Sequence, residues 1–533
     1  MSEPLNEPSP SADERQRRAV RRWSVRLAVL VVLAGVVLAL WHPWRRRDPL
    51  AAFADIRFID SVAVLSIENR TGEPAMAHLC AGITDEIVGR LKRVGLIKVS
   101  DPYSVEQLVA LELTAGQLAD SLGVEKLVVG SLYATVDGVR LNMRVSNGAT
   151  GELLSTRRYD WNADTRLETA PNLAQAFVDD YVDAIPLTTV PARPPPTAHS
   201  PGHEAYLIGR ASLGRRTAAG LARARAAFSE ALALDSTYAD AYAGLSSVYA
   251  LSLAYRYRIG VDAYRAAALA LDVANRAIEL DPELAAGYTA RGYLASRSFA
   301  PVAQVASDCR RAIDLEPSEA DVLSWCARVL SQRGDVEAAF RASRQAIALD
   351  PQNAGRRLAL AYDALALERY DRAAAEAHLA GELEPDLMLP RAIEARAHLL
   401  AGRPERCAGM DLGPHAGLRA TCLYELGQRA EATAIVDSLV AALAAGAPGN
   451  TIYTDVIRAE DLAVYYAWIG DPSGSLRWVR RAYDLSPSGV EPRVLESALF
   501  ERVREDPHFS REVERIRAGI WDHVHRESDA LRH

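Results

Sequence analysis

Lysine is almost missing from this chain: of 61 basic residues only Lys92, Lys98 and Lys126 are lysines, and the rest are arginines. Arginine excess can serve phosphate binding, but the codon bias of a GC-rich genome is the simpler cause. Acidic residues number 69, leaving a net charge of −8 and no global basic field, so no nucleic-acid partner is expected. Motifs of catalysis are also missing. There is no Gly-rich phosphate loop, no G-x-S-x-G elbow, no HExxH and no C-x-x-C. Asp85 and Glu86 sit near a helix start, where carboxylates complement the macrodipole without doing chemistry. His199 and His203 are separated by Pro201 and Gly202 and cannot share a helical face, while His523 and His525 lie in a polar tail. A non-enzyme is expected, with no cofactor and no metal. Cysteines are few, at 80, 309, 326, 407 and 422. Cys309 with Cys326, and Cys407 with Cys422, fall where neighbouring helices would allow a disulfide, or they fill small core sites. Cys80 has no evident partner.

What the chain does have is a returning phrase. Asp235-Ser236, Asp281-Pro282, Glu316-Pro317, Asp350-Pro351 and Glu384-Pro385 each close a helical stretch, and the last three intervals are 35, 34 and 34 residues. That is the tetratricopeptide (TPR) period, in which two antiparallel helices form each unit. Small residues recur where such helices cross: Ala224 and Ala231, Ala270 and Ala277, Ala339 and Ala346, Ala373 and Ala380. Gly334 and Gly402 mark turns between helices, and Gly427 and Gly470 carry the pattern onward. About eight units are predicted over residues 205–489, one lengthened near Arg256 to Asp262, followed by capping helices and a tail over 490–533.

Near the amino end, Leu27 to Leu40 carries no charge. Fourteen helical residues reach only about 21 Å, but residues 23–44 reach about 33 Å, with Trp23, Trp41 and Trp44 placed for the interfaces. One membrane-spanning helix over 23–44 is expected, after a disordered cytoplasmic tail over 1–22. The rival reading is a cleaved signal peptide, on the strength of Val37-Leu38-Ala39 and Arg21-Arg22. Six arginines precede the helix and four follow it, which favours a cytoplasmic amino terminus and a periplasmic bulk, at the inner membrane.

Residues 58–185 read as a small α/β domain in the order β-α-β-α-β-β-β with a closing helix, joined to the TPR solenoid by a Pro-rich linker over 186–204. SVAVLSI and LIKVS have strand character, a helix is predicted over Ser104 to Leu122 with Ser104 as its cap, and Asp137-Gly138 joins two alternating runs as a hairpin. The phrases VAVLSIENRTGEP, AGITDEIVGRL, LADSLGVEKLVVGSL and VRLNMRVSNGATGELLSTRRYD resemble the TolB amino-terminal-like (FlgO-like) domain of bacterial sensor and regulatory proteins. Asn69, Gly72, Gly82, Thr84, Glu86, Gly123, Gly130, Thr150 and Gly151 match that pattern, whereas Ser66-Ile67 departs from the family's Pro-Phe. The resemblance implies a bacterial architecture with TPR repeats behind the α/β domain. Such proteins often carry an effector before the membrane helix, and the residues before Trp23 are too few for one.

Function is therefore expected from binding. In TPR arrays the first helices of successive units line the concave groove, and here that row reads Ser247, Tyr293, Arg328, Tyr362 and Arg396, with Arg297 and Gln332 one turn on. Tyrosine gives rigid contact area and arginine captures carboxylates, so the row suits an acidic or carboxyl-terminal segment of a protein or peptide partner. A solvated face whose residues merely alternate is the plainer alternative. The expected role is a membrane-anchored, non-enzymatic scaffold or sensor-like protein. The rivals are a regulatory component whose cyclase, kinase or DNA-binding effector is a separate chain, and an enzyme with an unrecognised site in the α/β domain.

Overall fold

The computed structural model describes residues 58–532 apart from 95–96, 163–165, 185–200, 215–216, 317–318 and 446–451. The expected membrane segment and the Pro-rich linker up to residue 200 lie outside the described residues. Among the described residues no helix is long and apolar enough to cross a membrane.

The α/β domain grows from strands whose alternate residues face two helical layers. β1 (Asp60–Val64) lies second in a sheet ordered β3-β1-β4-β5-β6, with β2 (Glu68–Asn69) pairing farther along β4. β3 (Ile97–Val99) and β4 (Lys126–Thr135) flank β1 in parallel, through Ser61 opposite Lys98 and Ala63 opposite Leu127. β5 (Gly138–Asn147) and β6 (Leu153–Asn162) complete an antiparallel meander, and Asp137-Gly138 makes the turn between β4 and β5. Val62 and Val64 face α1 (Ala77–Arg93) and the domain's closing helix, burying Ile83, Ile87, Leu91 and Phe177. Ala63 and Leu127 face the other way, onto α2 (Pro102–Val109) and α3 (Ala115–Leu122). This period-two division is what makes a two-faced core possible. The closing helix, α4, spans Arg166–Asp183.

The single helix expected over Ser104 to Leu122 is two. Thr114 forms a capping box with Gln117 and starts α3, after Glu112 turns left-handed at φ +53°. Ser104 caps nothing there; its buried hydroxyl donates to Asp350 of the solenoid. Gly123, at φ +62°, then ends α3 where a side chain would be strained.

The solenoid is a run of helix pairs: α5 (His203–Gly214) with α6 (Ala218–Leu234), α7 (Ala239–Tyr255) with α8 (Ala263–Leu280), α9 (Ala285–Arg297) with α10 (Val302–Leu315), and α11 (Ala320–Gln332) with α12 (Val336–Leu349). There follow α13 (Ala354–Ala366) with α14 (Tyr370–Leu383), α15 (Leu389–Leu400) with α16 (Pro404–Ala408), α17 (Ala416–Glu425) with α18 (Arg429–Ala445), and α19 (Ile452–Trp468) with α20 (Pro472–Leu485). These sixteen helices make eight pairs. All eight alanines named at the crossing positions are fully buried, because only a methyl group fits where the helices meet. Helices end at Asp281, Asp350 and Glu384 in extended backbone, as the residue before proline must. Gly334, Gly402, Gly427 and Gly470 all turn with φ between +70° and +82°.

Both cysteine pairs are joined. Cys309 of α10 is bonded to Cys326 of α11 across 5.5 Å between Cα atoms, and Cys407 of α16 to Cys422 of α17 across 6.0 Å. Cys80 is buried and free. The second bond ties down the shortest helix of the array, whose five residues can bury little by themselves.

After α20 the chain turns inward. Short helices α21 (Pro492–Leu495) and α22 (Glu501–Arg504) precede α23 (Pro507–Ala530). α23 packs on α8 and α20: His523 stands edge-on to Tyr264 with ring centroids 5.0 Å apart, and Arg532 Nε reaches Asp272 Oδ1 at 2.9 Å. The end of the solenoid thereby meets its second unit.

Candidate binding channel

The row of residues expected to line the concave groove does come together, but around a segment of the same chain. Arg328 Nη1 donates to Glu491 Oε1 at 2.7 Å, and Arg297 Nη1 lies 3.2 Å from Glu491 Oε2. Arg396 Nη2 donates to Glu460 Oε1 at 2.7 Å, and Arg256 takes the other oxygen of Glu460. Tyr293 stacks on Trp325 at 4.7 Å between centroids, with Arg297 5.9 Å over the Tyr293 ring. Gln332 Nε2 donates to the Ser296 carbonyl at 3.0 Å, and Tyr362 lies under Arg493 at 5.7 Å. Arg297, Arg328 and Arg396 retain 9%, 6% and 0% exposure, so these guanidiniums are interior groups and no open face.

Ser247 stands apart from this group. Its hydroxyl bonds its own helix at Ala243, and it lines the hollow between the solenoid and the α/β domain.

The occupying segment is residues 486–495. Gly489 lets it lie against α20, since a Cβ there would come within 2.7 Å of the Ala482 carbonyl carbon. Ser488 Oγ donates to the Leu253 carbonyl at 3.2 Å, and the Gly489 carbonyl accepts from Arg256 at 3.0 Å. Arg256 is the left-handed residue that ends α7, at φ +58°, so the lengthened unit seen in the sequence supplies one wall of the channel. Arg493 then closes the row, 3.1 Å from Asp363.

The electrostatics of the pairing are uneven. Burial pushes the Glu491 carboxyl up, but Arg328, Arg297 and Arg493 more than reverse it and hold the group well below the usual carboxylate range. Glu460 is likewise lowered, burial being outweighed by Arg256 and Arg396. Beside Glu491 remains a cavity of about 100 Å³ whose walls include Tyr293, Arg297, Trp325, Arg328, Tyr362 and Arg493.

The α/β domain meets the same array elsewhere. Lys92, only 6% exposed, pairs with Glu319 at 2.8 Å, and Ser104 donates to Asp350. Asp350 also accepts from Asn353 and Arg356, both at 2.9 Å, and Arg356 reaches Asp321 at 2.7 Å. The domain is therefore seated on units four and five through buried polar contacts.

Sequence periodicity selected six of the channel residues and missed Glu460, Glu491, Arg493 and Arg256. Glu460-Asp461 inside the apolar stretch of α19 was the one local sign, since a buried carboxylate demands a partner.

No known family model matches the chain. Over 100 residues it is 29% identical to a putative adenylate cyclase 3 from Rhizobium meliloti (strain 1021), a stretch that is 19% of this chain and 17% of that protein. The chain thus spans less than a fifth of that relative's length. Among solved structures, a monomeric mutant of IFIT1 with Gppp-AAAA aligns over 66% of this chain and 77% of its own at 13% identity, TM-score 0.38. TTC0263, a thermophilic TPR protein of Thermus thermophilus, aligns over 37% and 99% at 22% identity, TM-score 0.29. YrrB, a TPR protein with an unusual peptide-binding site, aligns over 35% and 89% at 20% identity, TM-score 0.22. None of these scores reaches 0.5. The helix pairing at 34-residue spacing is decisive by itself. The chain is a TPR-like helical repeat protein. Its α/β domain precedes the repeats, and its channel is closed by its own carboxyl-terminal segment.

Proposed function

We propose that this chain is a non-enzymatic protein-binding scaffold whose TPR-like channel recognises an acidic segment of a protein partner. The observation that carries the reading is Glu491 seated between Arg297 and Arg328. The row suited by its chemistry to a carboxylate holds one, in a short segment of turn and helix that stands in for a ligand. A partner would displace residues 486–495 and take over the same guanidiniums. The scaffold is held at the inner membrane by residues 23–44, with its amino-terminal tail in the cytoplasm and the repeats in the periplasm, and its α/β domain is of the TolB amino-terminal-like kind. Two disulfides in one chain support the oxidising compartment.

The test is fluorescence anisotropy with a synthetic peptide of residues 486–496 added to the detergent-solubilised full chain. Wild type should bind weakly, because its own segment competes at high effective concentration. Glu491→Ala should bind more tightly, and Arg328→Glu not at all. Absence of binding to Glu491→Ala would overturn the reading. Topology is tested by a periplasm-active or a cytoplasm-active reporter fused at the carboxyl end; activity of the cytoplasmic one alone would refute the periplasmic placement.

A second reading is favoured by the stretch shared with a putative adenylate cyclase. In it the chain is a regulatory component whose effector, a cyclase, kinase or DNA-binding protein, is a separate polypeptide. Co-purification of such an enzyme with the tagged chain, and its loss on deleting the amino-terminal tail, would separate this reading from the first.

A further inference from the structure

The channel holds more cations than its carboxylates can match. Arg256, Arg297, Arg328, Arg396 and Arg493 converge on it, facing Glu460, Glu491 and Asp363. Neighbouring charges offset this in part. Asp461, on the same helix as Glu460, accepts from the Leu418 amide and lies 3.3 Å from His415 Nδ1. Glu496 faces Arg517 and also interacts with Arg328 and Arg493. Arg356, on the far wall of the cavity, is held by Asp350 and Asp321. Each of the five arginines has a carboxylate partner, but three carboxylates serve all five, so their oxygens are fewer than the N–H groups that converge on them.

The hydrogen bonds point the same way. Arg256 Nη1, Arg297 Nε, Arg328 Nη2, Arg396 Nε and Nη1, and Arg493 Nε are all buried with no acceptor among the described residues. Arg297, Arg328 and Arg493 line the same cavity of about 100 Å³ beside Glu491. Buried donors are almost always satisfied, and guanidinium N–H groups are satisfied best by oxyanions.

We infer that this cavity is a binding site for a small, compact oxyanion, of the size and charge of phosphate or a short dicarboxylate, held by Arg297, Arg328 and Arg493 beside Glu491. The anion satisfies these donors and fastens residues 486–495 against the first helices of the repeats. Tyr293, Trp325 and Tyr362 supply aromatic wall beside the arginines. The site exists while residues 486–495 are seated, so the anion opposes their displacement by a partner.

The experiment is calorimetric titration of the full chain with inorganic phosphate and, separately, with succinate, against sodium chloride at equal ionic strength. Saturable one-to-one binding of either is expected, with Tm raised by about 3 °C at a hundredfold excess over Kd. Phosphate alone or succinate alone identifies the source. Binding of neither, with no rise in Tm beyond the chloride control, overturns the inference. Two variants separate recognition from mere structural damage. Each breaks the same ion pair, yet Arg328→Gln should weaken the anion about tenfold or more, while Glu491→Gln, which removes a competing negative charge, should tighten it. Equal weakening by both would refute the site, and the wild-type titration decides the matter if either variant fails to fold.

Discussion

Arg328 and Glu491 meet at 2.7 Å although 163 positions separate them. Their bond joins the middle of the solenoid to the segment that follows its last helix pair, and both partners are almost wholly buried. Removing one partner of such a pair strands the other. Glu491→Ala or Arg328→Ala should therefore lower stability by about 3–5 kcal/mol, read from urea unfolding midpoints. A loss under about 1 kcal/mol would mean that the segment is solvated in solution.

Glu316 should give the protein an acid-side stability component. Burial first, and then the neighbouring Glu319, push its carboxyl up to about 6, against Arg93 and Lys92, which lower it. A carboxyl raised in the folded state contributes stability that is full below its ordinary value of about 4.3 and is lost as pH rises through about 6. Urea unfolding of wild type and Glu316→Gln, compared between about pH 4 and pH 7, should show the difference confined to that window. Parallel curves would refute the assignment.

The seat of the α/β domain should respond to Lys92 and Glu319 as a pair. A double-mutant cycle with Lys92→Met and Glu319→Gln should give a coupling energy of about 1–3 kcal/mol, because the pair is close and the lysine is shielded from water. Additive effects would place the domain elsewhere in solution.

Alkylation of the denatured, unreduced chain should label one thiol, that of Cys80, with reduction raising the number to five. Replacing Cys407 and Cys422 by serine should cost about 3 kcal/mol, as a bridge spanning 15 positions predicts, with α16 and its neighbours losing amide protection first. Three or more free thiols before reduction would contradict the bonding.

Much of the architecture was written locally. Acid-proline stops, buried alanines every seven residues within a helix and turn glycines such as Gly334 and Gly470 act within a few residues of themselves, so their spacing revealed the helix pairs and their number. The Asp137-Gly138 hairpin was equally legible. The division of Ser104 to Leu122 into two helices was less so, because Ser104 and Thr114 are both sound caps by local rules. Only the contact of Ser104 with Asp350, in the solenoid, removes it from that role.

The chain's order alone determined that arginines and tyrosines would share one face of successive first helices, because a fixed period returns the same position to the same face. It did not determine what that face would meet. Whether it turns to solvent or to a carboxylate depends on the accumulated rotation of eight units, on the left-handed residue at Arg256 and on the close approach allowed by Gly489. Small rotations add along a solenoid, and no local pattern records their sum. Tertiary structure decided that Glu491 and Glu460 would enter the channel and that the arginines there would outnumber the carboxylates.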